Sequence, residues 1–235
     1  MVFPRTLLVW IIGLPITAVL FTAVLAAYVL CGKGGPNAVH AIATLWFKII
    51  LKLSGVKVSV RGAEFVPKDT PVIFLSNHQG AFDIPVLQGY IPHRFRWVAK
   101  KSLFKIPVVG WSMSMAGYIP IEREAARKAS KSIDDAAEKI KNGASVLVFP
   151  EGTRSTTGQL LPFKRGGFSL AVRSGAPVIP VAITGTRDIM KRGKLSIRPA
   201  DVDISIGAPI PTKGMDEKIL QAAVRTAIEE LLKGR

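Results

Sequence analysis

From Thr6 to Gly32 the chain carries no charged residue, and from Thr6 to Leu30 it is almost wholly apolar. Backbone of this kind is stable only as helix covered by lipid or protein. As a helix, the 25 residues 6–30 are about 37 Å long, against a hydrocarbon core of about 30 Å. Arg5 and Lys33 bracket the run as interfacial anchors do. A cleaved signal peptide is the competing reading. Against it, the run is too long for a signal core, only Arg5 precedes it, and Leu30 before Cys31 suits a lipoprotein cleavage site poorly. A second apolar stretch, His40 to Leu53, sets Ile42, Leu45, Trp46, Ile49, Ile50 and Leu53 at helical spacing, with Lys48 and Lys52 on another face. That pattern fits an amphipathic helix in a headgroup layer or a helix packed on a core. Because Pro15 interrupts the first run, the two segments also fit a half-buried hairpin that never crosses the bilayer.

The rest of the chain alternates strand and helix signals. Val56–Arg61 alternates apolar and polar residues, and Pro71–Ser76, Val146–Phe149 and Val178–Ile183 are short apolar runs of strand length. Leu195–Arg198 and Val202–Ile206 read as two more strands around a turn at residues 199–201. Residues 125–141 carry an apolar helical stripe that ends near Gly143, and Met215–Lys233 is a closing amphipathic helix. These signals predict an α/β fold with a mixed sheet covered by helices, behind an N-terminal membrane-embedded helical segment. No linker follows Gly55, so the expected division is residues 1–55 as anchor and 56–235 as one catalytic domain.

A net charge of +16 makes the surface attractive to anions. Its basic residues gather at Arg94–Lys105, at Arg123–Lys131 and at Arg187–Arg198. Nucleic acid and an anionic lipid surface are both candidates, and the apolar first 55 residues favour lipid. The single cysteine, Cys31, excludes an intrachain disulfide.

Three loop blocks carry the chemistry. The first is Asn77-His78-Gln79-Gly80-Ala81-Phe82-Asp83, leaving the strand that ends at Ser76. On one continuous helix, five residues would turn His78 and Asp83 about 140° apart. They meet only if His78 lies in the loop, the chain turns at Gly80, and Asp83 stands near a helix start that Pro85 suits. A histidine facing a carboxylate is then a general-base pair. The plainer alternative has Asp83 as a cap and His78 as filler. No Gly-x-Ser-x-Gly elbow is present, Cys31 lies in the apolar segment, and His40 and His93 show no zinc-ligand spacing, so no metal is expected. The second block is Phe149-Pro150-Glu151-Gly152-Thr153-Arg154-Ser155, again at a strand end. There Arg154 is suited to fork onto a phosphate, or to pair with Glu151, and Gly152 lets backbone approach an anion. The third is Gly117-Tyr118-Ile119-Pro120-Ile121-Glu122-Arg123, which alone reads as a strand closing on a charged pair.

In order and spacing these blocks resemble the motifs of the glycerolipid acyltransferases, specifically the 1-acyl-sn-glycerol-3-phosphate acyltransferases. Asn77, His78 and Asp83 match the first motif; Gly117, Ile121 and Arg123 match the second; Phe149 to Ser155 match the third without a gap; Val178-Ile179-Pro180-Val181 matches the fourth. The likeness runs from about Val56 to the C-terminus, and the first 55 residues share only their apolar character. The resemblance implies that His78 takes the proton of an acceptor hydroxyl and that Asp83 orients it. It implies that Arg123 and Arg154 hold the acceptor phosphate, Glu151 positions its glycerol portion, and Gly152 and Thr153 shape the loop. Lys105 would add positive charge. The implied acceptor is lysophosphatidic acid and the implied donor is acyl-CoA or acyl carrier protein, as co-substrate rather than cofactor. The implied setting is an anionic membrane surface with the catalytic domain facing the cytoplasm (the inner membrane if the source is bacterial), and no nucleic acid. Acylation of another lysophospholipid, hydrolysis, and non-catalytic binding to anionic membranes are the alternatives. The two arginines count against hydrolysis, and the His78–Asp83 spacing counts against a mere binding protein.

Overall fold

Val178 to Thr184 is buried at every position, as a strand covered on both faces must be. It sits inside a seven-stranded sheet in a computed structural model that describes residues 2–122, 126–191 and 193–234. The strands are β1 (Val56–Arg61), β2 (Ile73–Ser76), β3 (Arg96–Lys100), β4 (Ile119–Ile121), β5 (Val146–Val148), β6 (Val178–Thr184) and β7 (Ala200–Ile206). Their spatial order is β1-β7-β6-β2-β5-β3-β4. From β6 to β4 all neighbours are parallel, β7 runs antiparallel to β6, and β1 pairs parallel with β7, so the sheet is mixed. The carboxyl ends of β2, β3, β4, β5 and β6 therefore share one edge.

Side-chain alternation feeds two cores. Val72 and Phe74 point to one face of the sheet, while Ile73 and Leu75 point to the other. On the second face lie α5 (Ala126–Lys141), α6 (Arg165–Ser174) and α7 (Glu217–Lys233). Their stripes bury Ala136, Ala137 and Ile140, Phe168 and Leu170, and Leu220, Val224 and Ile228. Asp216 caps α7, accepting from the Lys218 amide at 2.7 Å.

The first face is covered by α3 (Asp83–Tyr90) and by a helical pair, α1 (Val2–Leu30) and α2 (Gly35–Ser54), with α4 (Val109–Met115) beside them. The pair is antiparallel. Trp46 donates its indole N–H to the Thr17 hydroxyl at 2.9 Å, Gly13 lies against Ile50, and Gly35 sits so close to the Tyr28 backbone that a Cβ would meet its carbonyl at 2.8 Å. Of the two readings of α2, the core-packing one describes its inner face: Val39 and Leu51 are fully buried in the cluster that holds Phe74 and Phe95, while Leu45 faces outward. Val9 and Val24 of α1 join the same cluster. The first 55 residues thus share a core with the sheet.

One expected strand is absent. Leu195–Arg198 forms no ladder, because its backbone is held by side chains of α1. Thr6 bonds both the amide and the carbonyl of Ile197, and Trp10 donates to the Leu195 carbonyl at 3.1 Å. Ile197 is buried and Leu195 points out, so the apolar alternation records a helix-docking loop rather than a hairpin.

Candidate active site

The site begins where β2 ends. Asn77 continues the ladder with its side chain, donating to the Ile183 carbonyl at 2.9 Å and accepting the Ile183 amide at 2.8 Å. This fixes the exit of the loop that carries His78. Gly80 then passes so close to β6's end that a Cβ would lie 2.8 Å from the Thr186 carbonyl, so the turn has no room for a side chain. After it, α3 begins at Asp83, which faces back toward the loop.

His78 Nδ1 and Asp83 Oδ2 are 2.7 Å apart. The same oxygen accepts the amides of Gln79 at 2.6 Å and Gly80 at 2.9 Å, and Oδ1 accepts the Thr186 hydroxyl. Asp83 is completely buried. With donors on every side of this carboxylate, Nδ1 must carry the hydrogen, which leaves Nε2 as the basic nitrogen. The imidazole stacks on Phe149 at 3.9 Å and 8°, and Phe149 in turn lies against Trp97.

The second block closes on the first from the neighbouring strand β5. Glu151 is buried and accepts the His78 amide at 2.7 Å and the Leu161 amide at 2.9 Å. Burial pushes its carboxyl above the usual carboxylate range, and the two amides pull it back. Both oxygens are engaged by backbone, so Glu151 joins the loops, and the alternative in which Arg154 pairs with Glu151 is not formed. The Ser155 amide donates to the His78 carbonyl at 2.8 Å, clamping the histidine from its other side. Gly152 adopts φ 69°, and the side chain of Lys164 lies across it, 3.0 Å from where a Cβ would stand.

His78, Gly152, Thr153 and Arg154 line a cavity of about 580 Å³, within the range of roughly 300–1,000 Å³ for small-molecule sites. Its remaining wall is largely apolar: Leu20, Phe21 and Val24 from α1, Ile42, Trp46 and Phe47 from α2, and Val109 and Met113 from α4. Arg154 and Thr153 are exposed at the site, and Lys100 joins them from the end of β3. Lys105 is exposed at the end of the 3-10 turn Lys101–Lys105 and does not line the cavity. Arg123 lies outside the described residues. Spacing alone pointed to neither Phe149's stacking, Thr186, Lys100 nor Lys164, since each is brought in by the sheet or by the approach of a separate loop.

Deeper in the wall, polar atoms are paired off. Trp97 donates to the Gln88 side-chain carbonyl at 2.7 Å, Tyr118 donates to the same oxygen at 3.1 Å, and His40 Nδ1 lies 3.1 Å from the Tyr118 hydroxyl. Burial, followed by the charges of Arg96 and Arg94, lowers His40 to about 4, and burial raises the Tyr118 phenol. His40 is thus neutral when folded and protonates first in the unfolded chain. Its contribution to stability is complete above about pH 6.5 and is lost as pH falls toward 4, on the order of 3 kcal/mol in all. Denaturant unfolding in detergent at pH 7 and pH 5 should show this loss in the wild type and a smaller one in His40→Gln. An equal loss in both would assign the acid sensitivity elsewhere.

The chain is similar to known proteins over most of its length. A family model described as Acyltransferase matches residues 57–184. The chain is 40% identical over 173 residues to a chloroplastic 1-acyl-sn-glycerol-3-phosphate acyltransferase of Brassica napus, covering 73% of this chain and 50% of that protein. It is 33% identical over 199 residues to 1-acyl-sn-glycerol-3-phosphate acyltransferase alpha of Homo sapiens, covering 84% and 70%. The chain spans about half the length of the plant relatives it matches. The crystal structure of the 1-acyl-sn-glycerophosphate acyltransferase PlsC from Thermotoga maritima superimposes with a TM-score of 0.84 at 31% identity, covering 100% of this chain and 99% of that one.

Proposed function

The chain belongs to the acyltransferase family, and within it we propose that it transfers a fatty acyl group from an acyl thioester to the sn-2 hydroxyl of lysophosphatidic acid, giving phosphatidic acid. The carrying observation is that one cavity joins His78 and Arg154 to a long apolar wall. A phosphate head, a hydroxyl to be deprotonated and an alkyl chain find complementary surfaces in that order.

In this reading His78 Nε2 takes the hydroxyl proton as the oxygen attacks the thioester carbonyl. The tetrahedral intermediate then collapses, its C–S bond breaks, and the departing thiolate receives the proton from the imidazolium. Asp83 holds the tautomer and stabilises the transient positive charge. Arg154 and Arg123 hold the acceptor phosphate, with Lys100 and Lys164 adding charge, and Lys105 acts from further out. Glu151 positions the acceptor through the loop it organises. The donor is acyl-CoA or acyl carrier protein.

Membrane attachment falls to the helical pair. α1 is long and apolar enough to cross a bilayer by composition, with most of its surface uncovered by protein. Yet it is tied to the domain near its N-terminus by Thr6 and Trp10 at the 195–197 loop, and again past its middle by Phe21 against Trp111. A helix tied to one globular face at two points about two or more turns apart lies along that face between them. We therefore read the pair as sunk in one leaflet, the hairpin alternative, with the catalytic domain on the cytoplasmic side where its lysines and arginines meet anionic lipid.

Arg154→Ala is expected to lower acceptor kcat/KM about ten- to a hundredfold, the worth of one charge-assisted contact. The loss should be large with lysophosphatidic acid and small with monoacylglycerol. An unchanged preference between the two would remove Arg154 from phosphate recognition, and with it the main support for this acceptor.

A further inference from the structure

The exposed apolar surface does not stop at the helical pair. In the nine residues 103–111 of the catalytic domain, Leu103, Ile106, Val109 and Trp111 are 41%, 44%, 53% and 52% exposed. Lone exposed apolar residues need no explanation, but four so close together mark an interaction surface. Its backbone is built to hold them there. Val108 has φ 64° and ψ −61°, the only positive φ at a non-glycine among the described residues. For a β-branched residue such a conformation persists only where its surroundings enforce it. Here the Ile106, Val109 and Gly110 amides bond the carbonyls of Leu103, Pro107 and Ile106, and a Cβ on Gly110 would stand 2.3 Å from the Phe104 carbonyl.

Charge and continuity identify what covers this patch. Trp111 packs on Phe21 of α1, with ring centroids 6.2 Å apart, so the patch continues the uncovered surface of that helix. Lys101 and Lys105, both exposed, fringe it. A tryptophan and aliphatic side chains fringed by lysine are the composition that settles into the headgroup and upper acyl region of an anionic bilayer. Leu103 and Val109 also line the cavity, so cavity wall and outer patch are one layer of side chains.

We propose that Leu103–Trp111 is a second membrane-inserting element, one that belongs to the catalytic domain and enters an anionic phospholipid leaflet beside α1. This rests on the reading that the helical pair lies in that leaflet, and the test separates the two. In full-length protein with Cys31→Ala, single cysteines are introduced as Ile106→Cys, as Val19→Cys on the uncovered side of α1, and as Glu138→Cys on α5 across the sheet. Each is labelled with an environment-sensitive fluorophore. The protein is then bound to phosphatidylglycerol–phosphatidylethanolamine vesicles whose acyl chains carry spin labels. The expected result is blue-shifted, strongly quenched emission at Ile106 and Val19, and none at Glu138. Quenching at Val19 with none at Ile106 would overturn the second element and leave the helical pair in the membrane. Absence of quenching at both would overturn both readings. A blue shift at Ile106 that grows with protein concentration and ignores lipid would show instead that the patch meets a second copy of the chain.

Discussion

Replacing His78 by Ala is expected to lower turnover about 10²–10⁴-fold, the usual worth of a positioned general base. The effect should be confined to the chemical step. The imidazole faces the cavity, and its removal leaves the loop held by Asn77, Glu151 and the Ser155 amide through backbone and neighbouring side chains. Acceptor binding and the folded, membrane-bound state should therefore survive. Vesicle flotation and a kcat measurement on the same preparation check both halves. A variant retaining a tenth of wild-type turnover would show that His78 is not the base.

Asp83→Asn is expected to cost a comparable about 10²–10⁴-fold, although Asp83 touches no substrate. Its two oxygens accept four donors: the Gln79 and Gly80 amides, the Thr186 hydroxyl and His78 Nδ1. An amide has one acceptor oxygen. With that oxygen toward the two loop amides, Thr186 faces an NH2 and the imidazole loses the charge that stabilises its protonated form. With the group flipped, the NH2 confronts Nδ1 and reverses the tautomer. Each unsatisfied buried donor also costs about 1–3 kcal/mol of stability. The melting temperature should therefore fall along with kcat, whereas Thr186→Val should disturb stability with a much smaller loss of rate. If Asp83→Asn kept wild-type kcat with only a lower melting temperature, Asp83 would be a cap and nothing more.

The sequence made the strands legible where burial is one-sided or complete, as at Val56–Arg61 and Val178–Ile183. It misled at Leu195–Arg198, where the alternation exists in the residue types alone: a strand would turn Leu195 and Ile197 to one face, whereas Ile197 is buried beside α1 and Leu195 is exposed. Local geometry made the His78–Asp83 meeting possible but left a plain helix cap open; the resemblance favoured the pair, and the two side chains do meet at 2.7 Å. The cavity was not legible. Leu20 and Phe21 of α1, Trp46 of α2 and Met113 of α4 converge on it only through tertiary packing, and no period in the sequence relates them. For the same reason α2 read equally well as a headgroup helix. Its inner face is defined by Phe74 and Phe95, strand and loop residues distant in sequence.

In the proposed reaction His78 delivers a lipid hydroxyl, and not water, to an acyl thioester. It is tested most directly by incubating purified full-length protein with acyl-labelled acyl-CoA or acyl carrier protein and separate acceptors: lysophosphatidic acid, lysophosphatidylcholine and monoacylglycerol. The predicted result is label in phosphatidic acid from lysophosphatidic acid, with far less product from the other two and none from His78→Ala. Label appearing as free fatty acid at the same rate whichever acceptor is present would contradict it.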